Sequence, residues 1–151
     1  MGKQDNKTKS ETWMRSARED LETASDLCRL KRYAPACFYA QQSAEKAFKA
    51  ILIAVDNSVS RTHTLGRLVQ ETSVFLTLPD DVSAVRRLDL FYLPTRYPDS
   101  LPDGSTPADV FTESQAQDAI RSVEGALSFL GRSLTHYHES ASSLPTPTGR
   151  L

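Results

Sequence analysis

The sequence predicts an all-α fold, an antiparallel up-down four-helix bundle with a short additional helix. Three observations point to it. Apolar residues recur at steps of three and four along most of the chain, no segment alternates convincingly with period two, and most links between periodic segments are short. An amphipathic helix must bury its stripe, and short links make neighbouring helices run in opposite directions. No internal repeat is present.

The elements follow in order. Residues 1–9 carry no aromatic and no β-branched apolar side chain, so they are expected to be a disordered arm that cannot offset its ordering entropy. Ser10 is placed to cap a first helix whose stripe is Trp13, Ala17, Leu21, Ala24 and Cys28, with Arg15, Arg18, Glu19 and Glu22 between. A second helix runs from Tyr33 to about Val55, and Pro35 is tolerated in its first turn because the missing N–H needs no partner there. Its stripe, Cys37, Ala40, Ala44, Ala47, Phe48, Ile51 and Val55, is rich in alanine, which permits close helix approach.

A third helix starts after Thr64, a suitable N-cap, and turns Leu65, Leu68, Val69, Thr72, Phe75 and Leu76 inward. Pro79, Asp80 and Asp81 open a short fourth carrying Val82, Val85, Leu88 and Tyr92, with its acidic residues at the end the helix dipole favours. From Leu93 to Val110 the pattern breaks: Pro94, Pro98, Pro102, Pro107 and Gly104 exclude regular helix, and a long loop in a compact domain is more often functional than idle. The last helix begins with a capping box at Thr112–Gln115 and continues through Ala116, Ala119, Ile120, Val123, Leu127, Leu130 and Leu134. The domain is thus expected over residues 10–137, with 138–151 a disordered tail.

Composition narrows the function. With 18 Lys+Arg against 19 Asp+Glu, there is no global charge to coat nucleic acid or an anionic membrane, so any such binding must be local. No apolar run approaches the ~20 residues of a membrane span and the first residues are polar, so no membrane association is expected and the location is read as cytoplasmic. Cys28 and Cys37 lie within amphipathic patterns and read as buried thiols of a reducing compartment. Nucleotide-binding glycine motifs, the Gly-x-Ser-x-Gly elbow and Cys-x-x-Cys are absent, and no cofactor is implied.

Two regions carry candidate chemistry. On the second helix Gln41, Glu45 and Lys49 form one polar ridge, and Gln42, Lys46 and Lys49 line the neighbouring edge. On periodicity alone this is a solvated face with an ordinary Glu45–Lys49 pair. The loop holds Phe91, Tyr92, Arg96, Tyr97 and Asp99 among prolines. An arginine fork beside two tyrosines suits holding a phosphate or stacking on a base, although the same arginine could close the loop against Asp99 or a helix C-terminus. His63, between Thr62 and Thr64, reads as part of a turn and cap; His136 and His138 point to different sides of a helix and make a poor zinc site, so no metal is expected.

Together, Trp13, Ala17, Asp20 and Leu21, the entry from Tyr33 to Phe38, the run from Gln41 to Ala50, Thr62-His63 with Leu65, and Arg96-Tyr97-Pro98-Asp99 resemble a HEPN domain, the nucleotide-binding module of higher eukaryotes and prokaryotes. The resemblance spans roughly residues 10–134. It implies a helical bundle that forms a homodimer, is often encoded beside a minimal nucleotidyltransferase in a toxin–antitoxin-like pair, and in many members is a metal-independent ribonuclease with an Arg followed four to six residues later by His. This chain departs from that motif: the corresponding positions after Arg96 are Ser100, Leu101 and Pro102. The expectation is therefore a nucleotide- or RNA-binding module, a partner of such a nucleotidyltransferase, with Arg96 on phosphate, Tyr97 and Tyr92 flanking the ligand, and Lys46 and Gln42 on the rim. The alternative is a ribonuclease that uses Arg96 with a sequence-distant His63.

Overall fold

The computed structural model describes residues 2–56, 58 and 60–143, and among these all regular structure is helical. In chain order the elements are α1 (Lys3–Arg29), α2 (Tyr33–Asp56), α3 (Leu65–Ser73), α4 (Asp80–Ser83), a 3-10 helix over Ala84–Phe91, a 3-10 turn over Pro98–Ser100, α5 (Pro107–Val110) and α6 (Glu113–Ser143). The long helices pair as an antiparallel bundle, and the short fourth element is one α turn that tightens into 3-10 geometry.

α1 and α2 are joined by a tight turn in which Lys31 takes the left-handed conformation at φ 62°. Arg32 N–H donates to Leu27 C=O at 2.8 Å and Lys31 N–H to Cys28 C=O at 3.0 Å, the paired bonds of a Schellman stop. The chain therefore reverses immediately. α2 then becomes the central helix, packed by α1, α6, α3 and the 3-10 segment. Its small side chains permit this: Ala36, Ala40, Ala44, Ala47 and Ala50 are fully buried. Phe48, Ile51 and Leu52 fill the core with Leu65, Leu68, Val85, Leu88, Val123 and Leu130.

Several boundaries differ from the sequence reading. α1 begins at Lys3, so most of the supposed arm is helical and Ser10 is not a cap but a buried residue within the helix. The reason lies at the other terminus. α6 runs to Ser143, past the expected limit at 137, and places a buried His138 with Nε2 3.1 Å from Ser10 Oγ. The remainder of the expected tail, 144–151, lies outside the described residues. Thr64 makes no side-chain cap bond either; Asp89 on the 3-10 segment supplies both carboxylate oxygens, at 2.7 Å from Leu65 N and 2.9 Å from Gly66 N. Phe75 lies beyond the end of α3 and is exposed. The capping box at α6 forms as expected, with Gln115 Oε1 accepting from Thr112 N–H and Thr112 Oγ1 accepting from Gln115 N–H.

Candidate functional site

The polar ridge of α2 is not solvated. Gln41 is completely buried and Glu45 and Lys49 are each 5% exposed, because a central helix has neighbours on sides that periodicity assigns to water. Burying charge without partners is costly, and both charged groups have one, while the buried Gln41 Oε1 has no hydrogen-bond partner among the described residues. Glu45 Oε1 accepts from Lys49 Nζ at 3.3 Å and from His63 Nδ1 at 2.7 Å. Lys49 in turn lies 5.9 Å from the centre of the Trp13 ring, and Gln41 Nε2 donates to the His63 carbonyl at 3.2 Å. The lead-in to α3 is thereby fastened to α2 by both backbone and ring.

The Glu45 contact also sets the chemistry of His63. A carboxylate only accepts, so Nδ1 carries the hydrogen, and in the neutral imidazole Nε2 is then the ring's proton acceptor. The carboxylate is buried while the His63 side chain is 62% exposed. A buried acid therefore orients a solvent-facing base, the arrangement that general acid–base catalysis uses.

His63 stacks on Tyr92, with ring centres 6.2 Å apart and planes 11° from parallel. The same Tyr92 ring lies under Arg96, whose Cζ is 4.3 Å from its centre. Phe38 from α2 and Tyr97 flank the guanidinium at 5.1 Å each, and Arg96 Nε donates to Tyr92 C=O at 3.2 Å. Each exposed cation–π contact is worth only about 0.5–1 kcal/mol, so together these rings orient the group more than they sequester it. Among the described residues Arg96 has no carboxylate partner, so the closure against Asp99 does not form, whereas its Nε bond to Tyr92 C=O does close the loop on the C-terminal end of the 3-10 helix. No hydrogen bond of its terminal nitrogens forms among the described residues.

Tyr92, Arg96, Tyr97 and His63 thus converge, and Phe38 and Glu45 join them. Lys46 is directed elsewhere: its Nζ lies 2.7 Å from Asp20 and 2.9 Å from Ser16 Oγ, both on α1. Gln42 is half-buried on α2, one turn beyond Phe38. Sequence reading missed Phe38 as a ring against Arg96 and Glu45 as the orienter of His63, since both contacts cross between elements. The spacing of Phe38, Gln41 and Glu45 on one side of α2 was the available signal.

Both thiols are biased toward their protonated form. Burial pushes Cys37 up to about 12, and burial together with the nearby Glu113 charge raises Cys28. Among the described residues no cluster of three His, Cys, Asp or Glu side chains is positioned to hold a metal ion.

A family model described as the HEPN domain matches residues 10–133. This chain belongs to the HEPN domain family. The HEPN fold is matched by solved structures: the protein TT1696 from Thermus thermophilus superposes with a TM-score of 0.76 at 32% identity, covering 82% of this chain and 96% of that one. ST0689, an archaeal HEPN homologue, superposes at 0.68 with 31% identity, covering 83% and 97%. A protein of Methanocaldococcus jannaschii named "Putative toxin MJ1304" is 23% identical over 124 residues, 76% of this HEPN chain and 81% of that protein. Among the described residues no helix is long and apolar enough to cross a membrane.

Proposed function

We propose that this HEPN domain binds the phosphate of an RNA or nucleotide at Arg96, and that it works in a toxin–antitoxin-like setting. The observation that carries the reading is a guanidinium braced by three aromatic rings and one carbonyl while its terminal nitrogens have no acidic partner. A fork held this way donates to two phosphoryl oxygens at little further cost in side-chain entropy, and the exposed Tyr97 ring offers a face to a base. The toxin name of the archaeal relative supports the setting, and the resemblance described above adds a homodimer and a minimal nucleotidyltransferase as partners. Sedimentation of a species twice 16.8 kDa and copurification with such an enzyme test those two expectations. Calorimetry with ATP and short RNAs tests the binding site. Arg96→Ala is expected to weaken binding by about 1.5–3 kcal/mol, the worth of a charged hydrogen bond; equal binding by parent and variant refutes the assignment.

One observation favours a second reading. The Glu45-oriented His63 and Arg96 both contact the Tyr92 ring, which supports a role for His63 as proton acceptor despite the departure from the family spacing. In that reading His63 Nε2 removes the proton of a 2′-hydroxyl, whose oxygen attacks the adjacent phosphorus. The bond to the 5′-oxygen breaks, that oxygen takes up a proton, and Arg96 balances charge on the phosphoryl oxygens. The products are a 2′,3′-cyclic phosphate and a 5′-hydroxyl. Metal-independent cleavage that disappears in His63→Ala supports it; intact RNA after prolonged incubation with pure protein dismisses it and leaves binding alone.

A further inference from the structure

A second basic site lies away from Arg96, in the seam between α1 and α6. There the helices leave a cavity of about 500 Å³, open to solvent, with Leu21 and Leu127 along it and Arg18, Arg132 and His136 around it. Arg18 crosses the backbone of α6 at Gly131: a Cβ there would stand 2.7 Å from Arg18 Nη2, closer than real contacts allow. A side chain at this position would therefore shift the Arg18 guanidinium away from α6.

Arg18 and Arg132 are not ion-paired as other arginines of the same helices are, although Arg18 also lines an adjoining pocket with Glu22, Asp26 and Glu124. Arg29 and Arg121 pair with Asp26 and Asp118, three residues away on their own helices. Among the described residues Arg18 and Arg132 have no ion pair, and Arg132 Nη1 donates only to Ser128 Oγ at 2.8 Å. His136 adds an N–H donor in either protonation state, and Thr135 a hydroxyl. Glu139 also borders the cavity and limits the charge it tolerates.

We propose that this groove is a binding site for a phosphate-type oxyanion, held by Arg18 and Arg132 with His136 as a third donor. Two guanidinium groups from different helices lining one cavity with Leu21 and Leu127 suit a compact, multiply charged phosphate group. Two sources carry that chemistry, a free small phosphate compound and the 5′-phosphate end of an RNA. The site is separate from Arg96 and does not depend on the function proposed for it.

Amide NMR of the full chain titrated with inorganic pyrophosphate tests the site. Saturable shifts are expected at Gly131 and its neighbours through His136, and the double substitution Arg18→Gln with Arg132→Gln is expected to weaken binding by about tenfold or more, the loss of charged hydrogen bonds. Gly131→Ala, which displaces Arg18 while leaving every charge in place, should weaken it in the same direction. Arg96→Ala should leave these shifts unaltered. Matched trinucleotides with and without a 5′-phosphate separate the sources: preference for the phosphorylated one assigns the site to an RNA end, and pyrophosphate binding without that preference assigns it to a small anion. No saturation by about 10 mM pyrophosphate overturns the proposal. So do parent-like affinity in the double variant and shifts that vanish only in Arg96→Ala.

Discussion

Lys46 and Lys49 lie three residues apart on α2 and look equivalent in sequence, yet they occupy opposite kinds of site. Lys46 remains partly in water and reaches across to Asp20 and Ser16 on α1. Lys49 is buried beside Trp13, and the carboxylate it shares with His63 belongs to the candidate site. A polar edge on a central helix is therefore defined by what packs over it. The edge that clasps a neighbouring helix holds structure together, while the buried one aims a solvent-facing imidazole.

The largest test of this contrast is Glu45→Ala. It leaves Lys49 buried without its partner and His63 without its orienter, and should destabilise the fold by about 3–5 kcal/mol in denaturant titration. A loss below about 1 kcal/mol would mean that the buried edge behaves like the exposed one. Next is Asp89→Ala, which strips both acceptors from the start of α3, the helix that follows His63. A loss of about 1–2 kcal/mol is expected, together with weaker RNA binding if the His63 turn supports the site. Asp20→Ala, on the Lys46 edge, should cost no more than about 1 kcal/mol and leave ligand binding unaltered.

The smallest expected effect is a pH dependence at the far end of the bundle. Burial lowers the His138 pKa below its ordinary 6.5, against a weaker opposing pull from Glu11 and with a further lowering from Lys7. The unfolded chain therefore takes up the proton first as pH falls. This contribution to stability is fully present above about pH 6.5 and is lost progressively below it, as the solution passes down through the folded-state value. Chemical unfolding at several pH values should show His138→Gln flattening that decline, and an unchanged slope would place its origin elsewhere.

Much of the architecture was legible because burial repeats with helical period: the stripes of α2 and α6 are buried almost residue for residue, and the α6 capping box is local in sequence. The prolines of Leu93–Val110 were readable as interruptions, yet the stretch is not wholly irregular: it holds the 3-10 turn at Pro98–Ser100 and the short α5 at Pro107–Val110, where Pro107 opens the helix after Thr106 rather than breaking it. What escaped was non-local. Asp89 caps a helix that begins more than twenty residues earlier in the chain, and Ser10 is fixed by a histidine at the opposite end. His63, Tyr92, Arg96 and Phe38 come from three separate stretches, so their stacking has no sequence period. Arg96, Tyr92 and Tyr97 could be singled out because arginine and aromatics in a stiff loop have a recognisable chemistry. The buried Glu45 could not, because a carboxylate four residues before a lysine is also the ordinary pattern of an exposed helix face.

Whether the Arg96 guanidinium and the Glu45-oriented His63 imidazole meet one phosphate is decided by a crystal structure of the full chain with a short RNA whose nucleotides lack the 2′-hydroxyl at the bound step, so that no cleavage intervenes. Phosphoryl oxygens are expected within hydrogen-bond distance of the Arg96 terminal nitrogens, with His63 Nε2 turned toward the sugar of the same step. RNA seated elsewhere, with Arg96 folded back onto Asp99, would overturn the proposed site.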